Sequence, residues 1–180
     1  MKRSFLLTVV VALAVFSGVV KASTKSPKDV VEQFVKMDVE GARLTPEGWH
    51  EADALFVKPS EPPQPKVLVV IAWRYAVSEA PDKGDKTQFL MGYEEVGRIN
   101  TSSLHFAPSN SGDVMWSFDK YTVVSTATPF EWRIDGVQPV EMHLTANAAM
   151  RYVTQMRART SDPAIQKNAD QALAKLSRFR

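Results

Sequence analysis

From Pro27 onward, apolar positions recur at helical spacing: Val30, Val31, Phe34 and Val35 share one face until Gly41 interrupts them. Ser26 before Pro27, with Asp29 in the first turn, forms a helix start, because a hydroxyl caps a free amide and the carboxylate suits the helix dipole. Thr45, Pro46 and Glu47 repeat this grammar ahead of Trp49, Ala52, Leu55 and Phe56. Two short amphipathic helices joined by Gly41 to Leu44 predict a helical hairpin with one apolar side.

Residues 59–65 then carry Pro59, Pro62, Pro63 and Pro65, a connector forced into an extended path. Beyond it the period shortens to two. Val67, Val69, Ile71, Trp73 and Tyr75 alternate with Leu68, Val70 and Ala72, so the strand is apolar on both faces at its start and reads as central. Gln88 to Asn100, Val114 to Phe118, Tyr121 to Thr126, and Phe130, Trp132 and Ile134 supply further strands. Short links between them favour an antiparallel meander over crossovers. Thr145 opens a helix with Ala149, Met150, Val153 and Met156 on one face. Asp162 with Pro163 opens the last, where Ile165, Ala169, Leu173 and Leu176 recur.

The first 22 residues read differently. Lys2 and Arg3 precede a nearly unbroken apolar run from Phe5 to Val20, and Val20, Lys21, Ala22 fits a cleavage site. The expectation is a signal peptide over 1–22 and a single α+β domain over 23–180, exported to the periplasm or beyond. The sixteen-residue run is shorter than the roughly twenty needed to cross a bilayer, so no stable membrane anchor is expected after cleavage. The whole chain of 180 residues has 22 Lys plus Arg against 20 Asp plus Glu, a net charge of +2. Cleavage removes three basic residues and leaves 19 against 20, a charge of −1. Nucleic acid thereby loses its electrostatic footing as a partner. There is no cysteine, which excludes a disulfide scaffold, a thiolate zinc site and a cysteine nucleophile.

Candidate chemistry is sparse. His50, His105 and His143 stand far apart without metal-ligand spacing, and no phosphate loop or nucleophile elbow is present, so neither metal nor cofactor is expected. Strict alternation puts Phe89, Met91, Tyr93, Glu95 and Ile99 on one face, which would give Glu95 apolar neighbours and the character of a general base. A bulge near Gly92 or Gly97 would turn it to water instead. Asp119 and His105 are the other catalytic candidates, although Asp119 with Lys120 also reads as a turn and His105 as a structural group. Trp73, Tyr75, Tyr93 and Trp116 are candidates for lining a ligand pocket, or for an ordinary core.

Ser26, Pro27, Val30, Val31 and Phe34, followed by Gly41, Arg43, Leu44, Thr45, Pro46, Gly48 and Trp49, resemble the first two helices of the nuclear transport factor two-like (SnoaL-like) superfamily. The resemblance spans residues 26–134 and carries over no catalytic residue. It implies a cone-like α+β fold, with a curved antiparallel sheet of four to six strands wrapped around the N-terminal helices. The two C-terminal helices over 145–180 would then be an extension. It also implies a cavity between helices and sheet that accepts a small apolar molecule. Two functions follow as expectations: a noncatalytic ligand-binding or protein-interaction module of the cell envelope, or a small-molecule isomerase, dehydratase or hydrolase with a pocket carboxylate as base. The expected partner is a small apolar molecule or an envelope protein, with a homodimer open. A partner docked on the last helix would require an exposed apolar patch over Ile165, Leu173 and Leu176.

Overall fold

The computed structural model describes residues 25–62, 68–79, 87–109, 115–128 and 131–179. Residues 1–22, where a signal peptide is expected, lie outside these, as do Pro63, Pro65, Val67, Val114 and Phe130. The fold is α+β, with α1 (Pro27–Val39), α2 (Pro46–Asp53), β1 (Leu68–Glu79), β2 (Thr87–Asn100), β3 (Phe106–Pro108), β4 (Met115–Ser125), β5 (Trp132–Ile134), β6 (Met142–Thr145), α3 (Ala146–Arg159) and α4 (Pro163–Leu176).

The four α-helices among the described residues begin where their capping residues direct. Ser26 Oγ accepts from the Asp29 amide at 3.2 Å while the Ser26 amide donates to Asp29 Oδ2 at 2.7 Å, a reciprocal cap. Thr45, Thr145 and Asp162 accept from the amides of Gly48, Ala148 and Ala164 at 3.1, 3.2 and 2.8 Å. After α1, Gly41 takes φ +83°, the left-handed turn that releases the chain toward α2.

The strongly curled sheet runs β5-β4-β2-β1-β6, with β3 on β2. Its pairings are antiparallel except one: β6 lies parallel to β1, matching Val69 to Met142 and Ala72 to Thr145. The antiparallel meander expected from short links therefore holds only up to β5, and the chain returns across the fold to lay β6 on the far side of β1. β4 is a single strand through Asp119 and Lys120, so the turn expected there does not form. β1 is central as expected, and Val69 to Ala72 are all buried.

Between β1 and β2 the register slips twice within four residues. Ile71 pairs with Gly97, Ala72 with Glu95 and Arg74 with Glu94, which leaves Val96 and then Trp73 without an opposite residue. Each extra residue bends its strand and changes the phase of the side-chain alternation. Val69, Ile71 and Ile99 accordingly join one core with α3 and α4, whereas Ala72, Met91 and Tyr93 join another with α1 and α2. The same division runs through β6, where Met142 and Leu144 enter the α3–α4 core and the intervening His143 turns toward α1. The C-terminal helices are thus more than the extension expected: they cover the opposite side of this strand. Leu176 is buried, Ile165 and Leu173 pack against the same core, and the apolar patch that a docked partner would need is used internally. Arg157 adds a bond to Asp170 at 2.6 Å between the two helices.

Candidate functional site

The hollow expected to hold a ligand is filled. Phe34 of α1 meets the rings of Phe56 and Tyr121 edge-on at 4.9 and 5.5 Å, and Met91, Tyr93 and Val123 close the space from the sheet. Tyr93 is fully buried there. Burial, with Asp38 and Asp119 adding their negative charge, pushes its phenol far above the ordinary value and keeps it neutral. Ser117 Oγ, opposite it on β4, has no hydrogen-bond partner among the described residues.

The other residues singled out in the sequence scatter. Glu95 is 4% exposed, beside the double bulge, with its carboxylate held by Arg98 at 2.9 and 3.4 Å; Arg98 also reaches Glu141 at 3.3 Å. Both Glu95 oxygens are engaged by a guanidinium, an arrangement for structure rather than for proton abstraction. Asp119 is half-buried and accepts from the Tyr121 hydroxyl at 3.2 Å. His105 is exposed on the turn before β3. Trp73, the extra residue of its bulge, is turned outward and carries Arg74 over its ring at 4.3 Å. Trp116 is 50% exposed and stacks with Phe118 above Gly92 on an outer surface. Tyr75 borders a shallow groove between α1 and β1. The four aromatics do not surround a common cavity.

The polar centre of the molecule is elsewhere, in residues that no motif marks. Arg43, in the turn between α1 and α2, is 2% exposed. Its guanidinium donates to Asp38 Oδ1 at 2.7 Å, to Gln138 Oε1 at 3.1 Å, to the Glu141 carbonyl at 3.3 Å and to the Pro139 carbonyl, and it lies 5.0 Å from the rings of Phe34 and Trp49. Asp38 Oδ2 meanwhile receives the His143 amide at 3.2 Å and contacts its ring Nδ1 at 3.1 Å. The His143 ring is stacked on Tyr93, with centroids 3.7 Å apart and planes inclined by 2°. Gln138 continues the chain, donating to the Trp49 carbonyl and to Asp53 at 3.0 and 3.1 Å. This network fastens the helical hairpin to the segment leading into β6, so that both come to α3 as one wall.

Between that wall and α3 opens a cleft of about 450 Å³. Leu44, Trp49, Met142 and Met156 supply apolar surface, and Arg43 stands at its inner side. α3 contributes Ala148, Arg151, Tyr152, Gln155 and Arg159, residues three and four apart that form one face of a helix. Arg151 is bonded to Glu40 across the opening at 2.5 Å. Burial raises the Tyr152 phenol above its ordinary value, with Thr101 opposing by hydrogen bonding, and it stays neutral at physiological pH. Among the described residues, no group of three or more acidic or histidine side chains is placed to hold a metal ion. No protein-family model, curated protein or solved structure matches the chain.

Proposed function

We propose that the protein is an exported, noncatalytic binding module of the cell envelope, taking a small and largely apolar molecule into the cleft between the helical hairpin and α3. The preformed cleft carries this reading. Its volume falls in the range of small-molecule sites, and apolar walls with a few placed polar groups are the usual construction of such sites. Export rests on the leader-like pattern of residues 1–22. Kinship with the nuclear transport factor two-like superfamily is part of the same proposal, supported by a capped helical hairpin beside a curled sheet. Catalysis by Glu95 gains no support from a carboxylate tied to Arg98 beside a filled hollow.

The test is a thermal-shift screen of small apolar and amphipathic molecules, run in parallel on the wild type and on Gln155→Trp. That substitution places a bulky ring in the cleft from an exposed helical position. Ligands at about a hundred times their Kd should raise the wild-type Tm by roughly 5 °C or more and leave the variant unmoved. A screen in which no compound separates the two proteins refutes the reading.

A further inference from the structure

We propose that the cleft selects anions: its ligand carries a carboxylate, sulfonate or phosphate group on an apolar body, and the anionic group docks at Arg159. This rests on the cleft being the binding site. Among the described residues the charged side chains around it are unequal, with Arg43, Arg151 and Arg159 against the single carboxylate of Glu40. Two of these cations are already committed. Arg43 is neutralised by Asp38 and capped by backbone carbonyls, and Arg151 holds Glu40. Arg159 has no acidic partner among the described residues. A cationic ligand would find only a carboxylate that Arg151 already occupies. An anion finds a guanidinium with no acidic partner among the described residues, whose forked N–H groups can bond two oxygens of a carboxylate, sulfonate or phosphate at once, with the Gln155 amide one helical turn away. The apolar wall of Leu44, Trp49 and Met156 then takes the body of the ligand.

Two dyes that differ by one group give the test: 8-anilinonaphthalene-1-sulfonate, and N-phenyl-1-naphthylamine, which lacks the sulfonate. Both brighten in apolar surroundings. In a fluorescence titration of the purified full chain, the sulfonate should bind about tenfold more tightly than the neutral dye, the strength of one charge-assisted contact. Added salt should narrow the gap. Arg159→Gln should bring the sulfonate to the affinity of the neutral dye and leave the neutral dye unchanged, and Arg159→Lys should retain part of the preference. Equal wild-type affinities, or equal losses for both dyes in Arg159→Gln, overturn the anion preference while leaving the cleft as a binding site. Failure of both dyes to bind the wild type, or equal binding to Gln155→Trp, removes the cleft reading itself, with circular dichroism verifying that each variant is folded.

Discussion

A guanidinium withdrawn from water is tolerable only where acceptors surround it, and Arg43 has a carboxylate, an amide oxygen and two backbone carbonyls. Each partner depends on it in return. Arg43→Met would leave Asp38 as a buried carboxylate without its cation, and is expected to cost about 3–5 kcal/mol of stability in urea unfolding. Arg43→Lys should recover little of that, because a point charge on a flexible stem cannot serve Asp38, Gln138 and two carbonyls at once. A loss below about 1 kcal/mol for Arg43→Met would mean that the network adds nothing net. None of this was legible in the sequence. Arg43 and Gln138 are 95 positions apart and Asp38 and His143 are 105 apart, and periodicity records which side of a helix or strand is apolar, not which polar groups meet. Glu95 illustrates the converse: alternation alone turned it inward and it is buried, but Arg98 reaches it only through the phase change at Val96.

Helix starts were readable to the residue because capping is local chemistry, complete within four positions. Strands were harder. β6 has only four residues, too few for a period, and it is held by a partner 73 positions away. The outward turn of Trp73 depends on a bulge that simple alternation does not reveal. A close approach is equally invisible: a Cβ on Gly48 of α2 would lie 2.1 Å from the Ala42 carbonyl oxygen. Alanine is the better helix former, by about 1 kcal/mol, so propensity alone expects Gly48→Ala to stabilise. The contact with a backbone atom should reverse the sign, with a net loss of about 1–3 kcal/mol and a Tm lowered by several degrees. A raised Tm would show that the hairpin can open without cost.

Across the whole molecule, acid should act in one direction. Bonds from Ser26 hold the Asp29 carboxyl below its ordinary value, and Arg133 with Thr128 and Thr126 does the same for Glu131. For Asp53, burial pushes the carboxyl up, but bonds from Gln138 and Ser60 overcome it and the net shift is downward. A carboxyl with a depressed folded pKa stabilises fully above its unfolded value, 3.8 for aspartate and 4.5 for glutamate, and loses that contribution as pH falls through the folded pKa. Urea midpoints should therefore decline steadily below about pH 4.5, and the decline should be shallower in Asp53→Asn; midpoints that rise on acidification to pH 3 would contradict this. The parallel seam between β1 and β6 adds a constraint in time. The central strand waits for residues 142–145, and Arg43 waits for residues 138–141, so nearly four-fifths of the chain must exist before either is satisfied. Contacts this distant in sequence form late and slowly. A nascent chain of this design can cap its helices and pair β1 with β2 early, yet it closes its central strand and its buried charge only once those last residues have been made.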